Sequence, residues 1–181
     1  MKKNFAYGFI FFLLLTGIWG VHKESGEGFF FSSKASFADP GPTSGERKVL
    51  DLVNQEREIE NLPPLTWNNK LFAAARSHSE DMAQRDYISH ESPEGETFNE
   101  RILAAGYDYN ASGENIAAGQ SSPETVMSNW MSSPEHRANI LNNSFCEIGV
   151  GYAYENESKY GHYWTQKFGR QQGVTVCPDP S

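Results

Sequence analysis

Basic residues and cysteines are scarce in this 181-residue chain, and each shortage removes a class of function. Fifteen Lys and Arg stand against 23 Asp and Glu, and without residues 1–38 the balance is 11 against 21, a net charge of −10. Such a surface repels nucleic acid and anionic polymers at long range. Beyond residue 38 the basic residues are scattered singly, apart from the pair Arg47-Lys48, so no basic patch with interleaved aromatics offsets that repulsion. Nucleic acid is therefore excluded as a partner. Cys146 and Cys177 are the only cysteines, too far apart and without a CxxC to build a zinc ribbon. GxSxG and HExxH are absent, as is any glycine-rich phosphate loop. Nucleophile-elbow serine hydrolases, helical zinc peptidases and nucleotide binders drop out together.

What the chain does have begins at its start. Lys2 and Lys3 precede an apolar run from Phe5 to Val21, the pattern of an export signal, barely long enough to span a bilayer. Residues 1–38 are read as a signal peptide or N-terminal anchor, with Ser36 and Ala38 ahead of Asp39 suiting cleavage after Ala38. Contact with a membrane would come only through this segment if it is left uncleaved. Residues 39–43 form a linker, 44–170 one domain, and 171–181 a C-terminal tail. An exported chain reaches compartments where Cys146 and Cys177 pair, closing a loop of about 32 residues that contributes roughly 3–4 kcal/mol. Two separate buried thiols are the alternative.

Within the domain, Thr43 and Glu46 form a capping box for a helix over about 44–60, which Asn61 and Pro63-Pro64 end. A second helix after Trp67 places Leu71, Ala75, His78 and Met82 on one stripe, making His78 a core histidine. Thr97 and Glu100 repeat the capping box before a short helix closed by Gly106. Ser122-Pro123 and Ser133-Pro134 start two more helices, each with a side-chain cap, a proline in the first turn and an acid near the positive end of the dipole. Glu135 is explained by that position. From Phe145 the period becomes two: "FCEIGVGYAY" and "GHYWTQKFG" read as antiparallel strands joined by "ENESKYG". Helices first, strands late and a strand-poor middle indicate an α+β domain.

His90, Glu114 and His136 are the polar residues with no ready structural explanation. His90 lies in a loop, where polar groups can line a cleft. Glu114 lies in "SGENIAAG", whose small residues leave room around a carboxylate. Two imidazoles and a carboxylate suit acid/base work near neutral pH or a metal with an open position. His136 can equally sit on the exposed face of its short helix, and His90 can pack on the hairpin. His162 flanks a loop and is expected to point outward.

"ISHESPEG", "GENIAAG", "NWMSSPEHRANIL" and "FCEIGVGYAYENESKYGHYWTQKFG", in this order and spacing, resemble the bacterial branch of the CAP superfamily of cysteine-rich secretory, antigen 5 and pathogenesis-related proteins, also called the SCP domain. The resemblance covers residues 44–170. It implies an α-β-α sandwich with a central antiparallel sheet and a surface cleft. In eukaryotic members that cleft holds two histidines and two glutamates and can take up a divalent cation such as zinc. His90 matches the first histidine and Glu114 the glutamate of the "GEN" element. The second glutamate falls on Ser133, and the second histidine falls nearer Tyr163 than His162. The bacterial "SPxHRxNIL" form makes His136 the replacement imidazole, with Glu135 capping and Arg137 anchoring.

The resemblance therefore implies a ligand cleft of His90, Glu114, His136 and Tyr163, with His90 and His136 as zinc ligands if zinc is bound. The reading is an exported, extracytoplasmic binding module whose ligand is a cell-wall component, a lipid or a protein, with metal modulating recognition. The alternative is a metal-dependent, peptidase-like hydrolase with Glu114 as base. A third reading is a structural domain with a vestigial cleft.

Overall fold

The computed structural model describes residues 41–177; the reading of residues 1–38 as a signal peptide or anchor lies outside the described residues. Nine elements follow in order: α1 (Ser44–Ile59), β1 (Thr66–Trp67), α2 (Asn69–Arg85), α3 (Phe98–Ala104), β2 (Tyr109–Ala118), α4 (Pro123–Ser132), α5 (Pro134–Ile140), β3 (Glu147–Tyr154) and β4 (His162–Gln171). The sheet order is β1-β3-β4-β2, antiparallel throughout except for the two-residue β1, which runs parallel to β3. Among the described residues no helix is long and apolar enough to cross a membrane.

Alternation along the strands builds three layers. Ile148, Val150, Trp164 and Phe168 face α1, α4 and α5, where they form the main core with Val49, Val53, Val126, Met127, Trp130 and Ile140. On the opposite face α2 lies directly across β3. The close approach has a sequence cause: a Cβ at Gly149 would come within 2.0 Å of the Phe72 nitrogen, and one at Gly151 within 2.2 Å of the Arg76 nitrogen. Only hydrogen fits there. The α+β, α-β-α architecture with a central antiparallel sheet follows.

Both capping boxes form, at Thr43/Glu46 and Thr97/Glu100. Glu46 does more than cap. Fully buried, it ion-pairs with Arg76 at 2.6 Å and accepts the Tyr152 amide at 3.0 Å, joining α1 to α2 and β3. Cys146 and Cys177 form a disulfide, with Cα atoms 5.0 Å apart, that ties the C-terminal segment to the start of β3.

Three expectations are corrected. The middle of the chain is not strand-poor: residues 109–118 form β2, ten residues long. Its many small residues blur the alternation, and pairing with β4 supplies what local pattern does not. Ser133 starts α5 without a side-chain cap, because it is also the residue on which α4 ends. His162 does not point freely outward; its Nδ1 lies 2.7 Å from the Tyr152 hydroxyl and its ring packs between Tyr152 and Tyr154.

Candidate functional site

The site is built on β2, an edge strand of the sheet. Successive residues of a strand point to opposite faces, so Glu114 and Asn115 serve different layers. Glu114 faces its register partner Lys167 on the α2 side, and Asn115 faces Gln166 on the α5 side, where its Nδ2 donates to Gln166 Oε1 at 3.0 Å.

On the α2 side, the Glu114 side chain is 1% exposed. Its Oε1 lies 2.7 Å from His90 Nδ1, and the His90 side chain above it is 52% exposed. Its Oε2 contacts the Lys167 ammonium and lies 3.5 Å from Arg101 Nη2. Burial pushes the Glu114 carboxyl up, but the His90 hydrogen bond and the Lys167 charge outweigh it and hold the group below its ordinary value. It is ionised at neutral pH. An ionised carboxylate only accepts hydrogen bonds, so His90 Nδ1 carries the proton and Nε2 is left as an acceptor while the ring is neutral.

Arg101 fixes the loop that carries His90. Its Nη1 donates to the Glu96 carbonyl at 2.8 Å and its Nη2 to the His90 carbonyl at 2.5 Å. His78 is buried as its helical stripe requires, yet it borders this charged cluster: Nε2 lies 2.9 Å from the Ser89 carbonyl and 3.3 Å from Arg101 Nη2. Burial lowers its pKa to about 4, so the ring is neutral. Lys167 is fully buried, and burial lowers its pKa to about 8 although Glu114 pulls the other way.

On the α5 side Asn115 acts as a positioning residue. Its Nδ2 donates to the His136 carbonyl at 3.0 Å, and Asn139 Nδ2 donates to Asn115 Oδ1 at 2.8 Å and to the Glu114 carbonyl at 3.1 Å. These bonds seat α5 against β2. Arg137 binds Glu60 at 2.7 Å, tying α5 to the end of α1, and Trp130 Nε1 donates to the Ile116 carbonyl at 3.2 Å. His136 is half-buried; burial first, and the charge of His90 second, lower its pKa. A groove of about 440 Å³ runs beside it, lined by Ile116, Ala118, Gln120, Asn129, Trp130 and Ser133. His90 is not part of that lining.

Of the four residues expected in a cleft, His90 and Glu114 meet directly at 2.7 Å, while His136 lines the groove on the α5 side. Tyr163 joins neither. It is fully buried, its hydroxyl donates to Asp86 Oδ1 at 3.0 Å at the end of α2, and so its ring cannot meet a ligand. Zinc meets an incomplete donor set: among the described residues no group of three or more His, Cys, Asp or Glu stands together as a metal site. A zinc ion needs three or four protein ligands, and both Glu114 oxygens already face proton-bearing nitrogens.

Sequence reasoning missed Lys167, Arg101, Asn115 and Asn139 as parts of this arrangement. Lys167 had a readable signal: in a strand of otherwise buried residues, a lysine on the core-facing phase needs an internal anion. Arg101 had none, since a short capped helix gives an arginine ample reason to face solvent.

The described residues form an α-β-α domain with a buried carboxylate on its edge strand, hydrogen-bonded to one loop imidazole. The chain belongs to the CAP family, the cysteine-rich secretory protein family, whose model matches residues 50–168. It is 42% identical over 123 residues to YkwD of Bacillus subtilis (strain 168), covering 68% of this chain and 46% of that protein. The chain spans less than half the length of the curated relatives it matches. Among solved structures it is similar to an extracellular protein containing a SCP domain from Bacillus anthracis str. Ames, with 32% identity and a TM-score of 0.63, over 72% of this chain and 45% of that one. It also shares its fold with an outer surface protein from Borrelia burgdorferi, at 21% identity and a TM-score of 0.65, over 73% of this chain and 97% of that one.

Proposed function

We propose that this chain is an exported, extracytoplasmic binding domain that engages its ligand through the His90 and His136 imidazoles, with the buried Glu114 carboxylate orienting His90. One observation carries the reading: a half-exposed imidazole is hydrogen-bonded at 2.7 Å to a carboxylate that is 1% exposed. Burying a charge beneath an open imidazole costs stability and gains nothing for packing, whereas it fixes the tautomer that a ligand meets. The groove of about 440 Å³ lined by His136 offers a surface of its own on the α5 side. Export is supported by the Lys2-Lys3 and Phe5–Val21 pattern and by the extracellular protein of Bacillus anthracis to which the chain is similar. Ligand classes consistent with that location are a cell-wall component, a lipid or a protein.

The hydrolase reading asks Glu114 to act as a base, but its two oxygens already face His90 and Lys167. The test is retention of the purified chain on peptidoglycan fragments, on lipid vesicles and on an immobilised peptide library. Saturable binding to one of these should weaken at least about tenfold, or about 1.4 kcal/mol, in His90→Ala and in His136→Ala. Binding untouched by both changes would remove the site from the function. Product release from any of the three that Glu114→Gln abolishes would establish the hydrolase instead.

A further inference from the structure

We infer that Lys167 is the resident cation of this site: its ammonium stands on Glu114 where a divalent metal would have to sit, so the site engages its ligand through imidazole hydrogen bonds and without metal. The inference rests on the proposed binding site and specifies its chemistry. A metal taken up on Glu114 Oε2 would face the Lys167 ammonium in direct contact with that oxygen and the Arg101 guanidinium 3.5 Å from it. Charges of one sign at that separation repel, most strongly where water is excluded.

Lys167 cannot step aside to admit a metal. Its side chain is 0% exposed, its ammonium lies 3.5 Å from the Phe98 carbonyl and 5.6 Å from the centre of the Phe98 ring, and it projects from an inner strand of the sheet. Long charged side chains are buried in this way only when paired. On Oε1 the His90 proton occupies the other approach. What remains for a metal is two imidazoles, His90 Nε2 and His136, one short of the three protein ligands of an open zinc site. Lys167 thereby supplies the counter-charge that keeps Glu114 ionised while leaving Oε1 to orient His90. It is a positioning residue, acting on the ligand-facing imidazole through the carboxylate.

The experiment is calorimetric titration of the purified full chain with zinc chloride alone, which requires no knowledge of the ligand. Its failure is therefore distinguishable from failure of the binding proposal. The wild type should give no saturable one-to-one uptake. Lys167→Met frees Oε2 and should take up one zinc per chain at concentrations at least about tenfold below any at which the wild type responds, a gain that Lys167→Met combined with Glu114→Gln should lose. The 15N resonances of the His90 ring should shift in Lys167→Met, which a role confined to packing would not cause. One-to-one uptake by the wild type that His90→Ala or Glu114→Gln abolishes would overturn the inference, as would a folded Lys167→Met that takes up no zinc. If Lys167→Met fails to fold, the wild-type and Glu114→Gln titrations decide alone: uptake lost in Glu114→Gln contradicts the inference, and no wild-type uptake upholds it.

Discussion

Burial lowers the Lys167 pKa from 10.5 to about 8, against the pull of Glu114, and this makes alkaline stability a readout of the site. Between those two values the unfolded chain holds a proton that the folded chain has released. The free energy of unfolding therefore rises with pH across that window, and the Lys167 contribution is lost as pH falls through about 8. At 1.36 kcal/mol per pKa unit the full effect is about 3 kcal/mol, order of magnitude. About 2 kcal/mol of it accrues between about pH 7.5 and 9.5. Above that range other groups interfere: burial lowers Arg57 to about 10, and burial with the Glu147 hydrogen bond raises Tyr107. The assay is urea unfolding of the wild type and Lys167→Met at several pH values in this range. The wild type should gain about 2 kcal/mol relative to the variant. Parallel stability curves for the two proteins would refute the reasoning, because they would mean that no buried ammonium titrates.

Two further outcomes follow from the frame around the site. Replacing Cys146 and Cys177 with serine removes the loop closure and should lower stability by about 3–4 kcal/mol in calorimetric unfolding, whereas a loss under about 1 kcal/mol would mean the bridge scarcely restrains the unfolded chain. Gly149→Ala sets a methyl 2.0 Å from the Phe72 nitrogen, a backbone atom that cannot turn away. It should cost about 3 kcal/mol or more, and a variant as stable as the wild type would show that α2 is not pinned on β3.

The helices were legible in the sequence because their ends are marked by local chemistry. Thr43 with Glu46, Thr97 with Glu100 and Ser122 with Pro123 each announce a start that the structure keeps. β3 and β4 were legible through alternation of large and small residues. β2 was not, since "YNASGENIAAG" lacks the bulky β-branched residues that mark a strand, and the neighbouring strand makes it one. The candidate site was half legible. His90, Glu114 and His136 stood out as polar residues without a helical or capping role, while the side chains that hold them depended on tertiary contact. Asn115 and Asn139 meet across 24 positions of sequence and Glu114 and Lys167 across 53, separations at which no local pattern operates. Tyr163 was misplaced because its motif position says which residue it is, whereas packing against Met82 and Ala83 near the end of α2 buries it.

The buried Glu114 carboxylate selects one protonation pattern in His90. Nitrogen-15 NMR of the imidazole rings, recorded at a pH where His90 is neutral, reads that pattern directly. Glu114 should hold the proton on Nδ1 and leave Nε2 bare, the reverse of the preference of free neutral histidine. A ring with its proton on Nε2 and none on Nδ1 would contradict the claim, because the 2.7 Å contact would then not be a hydrogen bond to an ionised carboxylate.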